Sequence, residues 1–166
     1  MKTVYLIRHA KSSWKNTEFL DDIDRPLNKR GKQDAPRMAA VLRNKEISPD
    51  LLISSPALRA YTTALRIAEG IDHHKVQLDQ RLYEASTTDI FSVIREVDNG
   101  HQSVLLFGHN PSYTLFANYY ARPTLENVPT CGLVAVGYAV EDWKLCDETN
   151  GKFLFFDYPK RYYTDY

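Results

Sequence analysis

A few residues in this chain could do chemistry, and they sit where apolar runs end. Arg8 and His9 follow Val4, Tyr5, Leu6 and Ile7 in the opening stretch MKTVYLIRHAKSSW. Ser54 and Ser55 follow the apolar residues 51–53, and Arg59 comes soon after them in SSPALRAYTTALRIAEG. Gly108 and His109 end the run SVLLF and lead into Asn110-Pro111. Any one of these has an ordinary explanation, such as a strand meeting solvent or a histidine capping a strand end. Together they are harder to set aside. In an open α/β sheet the carboxyl ends of parallel strands share one edge, and ligands bind in the crevice there. Arg8, His9, Arg59 and His109 are therefore expected to converge.

The residue types point to an anion. Arg59 falls in the first turn of a predicted helix, where the macrodipole disfavours a cation by about 0.3–1 kcal/mol unless a carboxylate or bound anion offsets it. The helix expected after Asn110 would turn its N-terminal amides toward the same edge, as a second anion site. Two guanidinium forks with free amides suit a phosphoryl group. With no glycine-rich cradle of the P-loop kind, a single phosphoryl group is expected rather than a nucleotide. An imidazole between two guanidinium groups has its cationic form disfavoured by about 4 kcal/mol per close charge at an effective dielectric of 20. His9 is then neutral near pH 7 and has a ring nitrogen free to attack phosphorus.

The elements that must position these groups alternate, which predicts βαβ units around a largely parallel sheet. Strands are expected over residues 4–7, 51–53, 76–78 and 103–107. Helices are expected over 28–45, with Pro36 at its start or at a kink, and over SSPALRAYTTALRIAEG. In the latter Ser55 would cap, Pro56 would open and Gly70 would close the helix. Residues 88–97 place Ile90, Val93, Ile94 and Val97 on one helical face, and a last helix would run from its Asn110 cap to about Tyr120. Residues 133–140, 143–145 and 153–156 read as further strands, expected to be antiparallel. The fold class predicted is α/β, a three-layer α/β/α sandwich with a mixed, mainly parallel sheet, in one domain over residues 1–166.

The segments LIRHAKSS, SSPALRAYTTA and LLFGHNPS resemble the histidine phosphatase superfamily, which includes the phosphoglycerate mutases. Chain length and the segments RPLNKRG, LYEAS and GHNP make it most similar to the small bacterial phosphohistidine phosphatases. The resemblance runs from the N-terminus to about Thr130. It implies that His9 is the phosphorylated nucleophile, that Arg8 and Arg59 bind phosphate, and that His109 polarises a phosphoryl oxygen. Glu84 in LYEAS aligns with the acid that many relatives use to protonate the leaving oxygen; a solvated loop carboxylate or an arginine partner is the alternative. Arg25 in DDIDRPL is a candidate substrate contact or a structural ion pair, and Ser12 and Asn110 are taken as further substrate contacts. The sequence departs from the family pattern in having RHA where RHG is usual, and Lys15 where many mutases have Asn, which makes a mutase site less expected.

The function implied is hydrolysis of protein phosphohistidine through phospho-His9, with no metal and no cofactor. The alternatives are a phosphomonoesterase of small metabolites, a mutase-like phosphotransferase and a non-catalytic phosphate-binding module. Composition narrows the partners. Lys plus Arg and Asp plus Glu are 21 each, so no net basic field attracts nucleic acid. No apolar run is long enough to span a bilayer, and the N-terminus lacks a signal-peptide pattern, so a cytoplasmic protein is expected. Its partner would be a phosphorylated protein or a small phosphorylated metabolite; oligomeric state is not legible. Cys131 and Cys146 are expected as free thiols. His73-His74 is expected in a loop rather than at a metal. The tyrosine-rich tail, residues 158–166, is expected to pack on the domain, with packing on a partner as the alternative.

Overall fold

The computed structural model describes residues 1–164. Six strands form one sheet: β1 (Lys2–Arg8), β2 (Leu51–Ser54), β3 (Gln77–Leu78), β4 (Ser103–Gly108), β5 (Leu133–Tyr138) and β6 (Gly151–Asp157). Their order across the sheet is β3-β2-β4-β1-β5-β6. The pairs β3/β2, β2/β4 and β4/β1 are parallel, while β1/β5 and β5/β6 are antiparallel. The helices are α1 (Lys29–Asn44), α2 (Leu58–Gly70), α3 (Thr87–Arg95) and α4 (Ser112–Asn118).

Alternation along the strands sends neighbouring side chains to opposite faces. Ile7, Leu52, Leu105 and Phe107 pack with Met38, Leu42, Ala64 and Ile67, on the face covered by α1 and α2. Leu6, Ile53, Val104 and Leu106 pack with Ile90, Ile94 and Phe116, on the face covered by α3 and α4. The result is the three-layer, mixed and mainly parallel sandwich that the sequence predicts.

Several local expectations change. Pro36 lies inside α1, which starts at Lys29 with Asn28 accepting the Gly31 amide at 2.9 Å. Ser55 does not cap α2 and Pro56 does not open it; the N-cap is Ala57, with no side-chain cap hydrogen bond. Residues 143–145 form a 3₁₀ turn rather than a strand, because Asp142 accepts the Lys144 amide and folds the chain back. The described part of the tail packs as expected: Tyr163 donates its hydroxyl to Asp34 of α1 at 2.7 Å, and Pro159 is buried. Residues 165–166 lie outside the described residues. Among the described residues no helix is long and apolar enough to cross a membrane.

Register brings the chemical residues to one edge. Arg8 is level with Gly108, and the His9 amide donates to the Gly108 carbonyl at 2.9 Å. Ser54 is level with Phe107, and the Ser55 amide donates to the Phe107 carbonyl at 2.9 Å. Residues 9 and 55 are thus held by backbone pairing to the end of β4, which residue 109 directly follows.

Candidate active site

His9 leaves β1 and is buried, and its ring is fixed by its own neighbour. Nδ1 lies 2.7 Å from the Ala10 carbonyl. A carbonyl only accepts, so Nδ1 carries the proton and Nε2 holds the free electron pair. Ala10 is in turn tied to α2, because its amide donates to the Thr63 hydroxyl at 3.0 Å, which donates to the Arg59 carbonyl at 2.7 Å. Ala10 lies outside the left-handed backbone region, so alanine in place of the family's usual glycine meets no strain there. From the other side, the Cys131 amide donates to the carbonyls of Arg8 and His9, with Cys131 itself at φ 61°.

The His9 pKa is lowered to about 4. Burial is the largest cause; the Ala10 hydrogen bond opposes it, and the charges of Arg59, Arg8 and Arg25 add to it. Neutrality follows as expected from the sequence, but desolvation rather than the guanidinium groups is the main source.

His109 stands beside it, with ring centroids 5.2 Å apart. Its Nε2 lies 2.8 Å from the Ser55 hydroxyl, which already accepts the Ala57 amide at 3.2 Å. Ser55 thus bridges the Ala57 amide and His109 Nε2; the second ring nitrogen is Nδ1. That Nδ1 is buried and has no partner. Burial lowers the His109 pKa to about 3, helped by His9 and Arg59.

The arginines come from three segments. Arg8 donates from Nη1 to the Val128 carbonyl at 3.0 Å, and Arg59 donates from Nη1 to the Asp22 carbonyl at 2.7 Å. In both, Nε is buried without a partner. Arg25 is buried and donates from Nη1 to the Ser12 hydroxyl at 2.9 Å. Ser12 thus orients Arg25. Asn110 directs its amide group to Asn127 and to the Val128 carbonyl that Arg8 also uses, and its oxygen accepts the Thr114 amide. Its polar atoms are committed to this loop.

The second anion site expected at α4 is absent. That helix has seven residues, and its Tyr113 and Thr114 amides are taken by the His109 carbonyl and by Asn110.

Asp22 and Tyr83 gave no signal of their own in the sequence. Asp22 accepts from Arg25 Nε at 3.1 Å, from Arg59 Nη2 at 3.0 Å and from the Tyr83 hydroxyl at 2.7 Å. Burial alone would raise its pKa, but these three donors override it and hold the carboxyl well below the usual range. The spacing from Asp22 to Arg25 is the one available hint. Tyr83 sets its ring edge-on to His109, with centroids 5.6 Å apart. Glu84 is the next residue, exposed and at φ 53°. Trp14 stacks on the Arg25 guanidinium at 3.6 Å and is 71% exposed. It lines a cleft of about 240 Å³ together with Arg8, His9, Lys11 and Ser12. A larger cleft of about 280 Å³, with Asp79, Arg81 and Glu96 in its wall, contains none of the groups described above.

The floor of the site is therefore a neutral imidazole with a free electron pair, surrounded by buried nitrogens that lack partners: Arg8 Nε, Arg59 Nε and His109 Nδ1. Such a set can hold tetrahedral oxygens while Nε2 faces the central atom.

Comparison with known proteins agrees with this geometry. Residues 4–91 match the family described as the histidine phosphatase superfamily (branch 1). A Hydrogenobacter thermophilus protein provisionally named phosphoserine phosphatase 2 is 31% identical over 131 residues, covering 78% of this chain and 58% of that protein. The 2,3-bisphosphoglycerate-dependent phosphoglycerate mutase of Bifidobacterium longum is 35% identical over 82 residues, covering 48% of this chain and 33% of the mutase. The chain thus spans well under two thirds of the length of these relatives. Among solved structures, an Agrobacterium tumefaciens protein with the provisional name phosphohistidine phosphatase SixA superposes with a TM-score of 0.80. It is 27% identical, and the alignment covers 95% of this chain and 98% of that one.

Proposed function

Because the chain belongs to the histidine phosphatase superfamily (branch 1), we propose that it hydrolyses a phosphoryl group through a covalent intermediate on His9, and that its substrate is phosphohistidine on a protein. One observation carries this reading. The His9 Nδ1 proton is engaged by the Ala10 carbonyl, which leaves Nε2 as the nucleophile among unpartnered buried donors.

In the first displacement Nε2 bonds to phosphorus as the bond from phosphorus to the leaving group breaks. The leaving nitrogen or oxygen takes a proton, and the positive charge on phospho-His9 is shared through Nδ1–H with the Ala10 carbonyl. Arg8, Arg59 and the His109 Nδ1–H neutralise charge on the equatorial oxygens. In the second displacement water attacks phosphorus, loses its proton at the open rim and expels His9 as the neutral imidazole. The cationic groups are side chains, so no step calls for a metal. Glu84, exposed beside Tyr83, is the carboxyl proposed to protonate an oxygen leaving group. A departing imidazole is protonated from solvent near its unperturbed pKa of about 6.5 and relies less on Glu84.

The names of the curated relatives favour a second reading, hydrolysis of a small phosphomonoester by the same chemistry. Phosphate release in EDTA from a phosphohistidine carrier protein, compared with O-phosphoserine and 3-phosphoglycerate, separates the two. The proposal expects the highest kcat/KM on the carrier protein. Turnover of the esters with the carrier untouched would establish the second reading. No turnover of any would leave a phosphate-binding module.

A further inference from the structure

We propose that Asp22 is a specificity-determining residue, a fixed negative charge at the rim that selects phosphoryl compounds with a cationic leaving group and rejects those with an anionic one. The inference rests on the phosphatase reading above and narrows its substrate class.

Asp22 and the arginines it binds lie at different depths. The side chains of Arg25 and Arg59 are 6% and 7% exposed, whereas that of Asp22, which they hold, is 49% exposed. The carboxylate therefore stands as a half-exposed cap over two buried guanidinium groups. A phosphoryl group that reaches His9 and the unpartnered donors sits on the buried floor. Whatever is bonded to that phosphorus projects outward, to the level of Asp22. Tyr83 fixes this position, since its hydroxyl binds Asp22 while its ring rests against His109.

Charge then decides the preference. Arg8, Arg25 and Arg59 supply three positive charges and Asp22 removes one, with both imidazoles neutral at pH 7. The remaining two match a phosphoryl dianion and leave nothing for a second acidic group on the substrate. Lys11 and Glu84, and Lys15, Asp21 and Asp24 beside Trp14 and Asp22, are exposed charges of both signs that salt screens. An imidazolium or ammonium next to phosphorus meets the Asp22 carboxylate favourably, and a carboxylate there is repelled. This fits a site whose substrate leaves as a protonated nitrogen base.

Two small esters test this without relying on phosphohistidine: O-phosphoethanolamine, with a cationic leaving group, and phosphoglycolate, with an anionic one. The proposal expects wild type to favour the former. Asp22→Asn and Asp22→Ala should shift the ratio of kcat/KM values toward phosphoglycolate by roughly tenfold or more at low salt, as a charge at this depth implies. The shift should shrink at 1 M salt. Hydrolysis of p-nitrophenyl phosphate reports that the arginines remain in place. Uniform loss on all substrates, with the ratio unchanged, would overturn the proposal and reduce Asp22 to a tether for Arg59. The same ratio is also read as dissociation constants of the two esters in a His9→Ala background. If the wild type hydrolyses neither ester, these dissociation constants decide the role of Asp22, and turnover of the phosphohistidine carrier protein separately decides the proposed activity.

Discussion

His9 and His109 show how far a side chain's chemistry is set by what lies within hydrogen-bond reach. The ring proton of His9 is assigned by a partner that can act in only one sense, the Ala10 carbonyl as acceptor, and His109 is held at Nε2 by the Ser55 hydroxyl. Both rings are buried, and burial is the first cause of their lowered pKa values. A pH titration of the free protein followed by NMR should give His9 a midpoint near pH 4 and His109 one near pH 3. Midpoints near 6.5 would show that the site is wetter than described. The sign for stability follows. Each folded pKa lies below the unfolded value of about 6.5, so the unfolded chain takes up these protons first. The contribution is fully present above about pH 6.5 and is lost as pH falls through about 4 for His9. The arginines and histidines were legible because each ends an apolar run or opens a helix. Asp22 and Tyr83 were not, since their roles arise from a loop folding over α2, and no local pattern encodes that contact.

Elements carry these residues to one place through a few links between segments. The hydroxyl of Thr63, on α2, accepts the Ala10 amide and so couples that helix to the end of β1. Thr63→Val keeps the shape but leaves the buried Ala10 amide without an acceptor, a loss of about 1–3 kcal/mol. Urea unfolding should show that loss, together with slower turnover, because the carbonyl of the same residue holds His9. An unchanged midpoint would mean the amide finds another partner. Gly31 marks a second link: a Cβ there would lie 2.1 Å from the Lys11 carbonyl, so the start of α1 can approach the loop after His9 only as glycine. Strands β1, β2 and β4 were readable from apolar runs. The 3₁₀ turn at Trp143–Leu145 was not, because a tryptophan and a leucine alternating about Lys144 look like a strand until Asp142 caps the turn. In the sequence Ser55 looks like a helix cap, because serine before proline is a common helix opening. Its hydroxyl instead connects Ala57 to His109, a contact that exists only once β2 and β4 are paired.

At the scale of the whole molecule, the sheet order places β4 between β1 and β2, so the two histidines arrive on adjacent parallel strands and Ser55 on the next. The parallel half builds the floor of the site, while β5 and β6 extend the sheet antiparallel beyond β1. Alternation of strands and helices made this architecture legible. The register that aligns Arg8 with Gly108 was not, since sequence gives strand existence more readily than pairing. The central claim is that this arrangement makes His9 Nε2 a nucleophile toward phosphorus. Rapid acid or alkali quenching during turnover of a phosphorylated substrate in EDTA, followed by peptide mapping, tests it most directly. The account predicts an alkali-stable, acid-labile phosphoryl group on His9 that is absent, along with turnover, from His9→Ala. An adduct on Ser12, Ser13 or His109, or turnover that survives in His9→Ala, would contradict it.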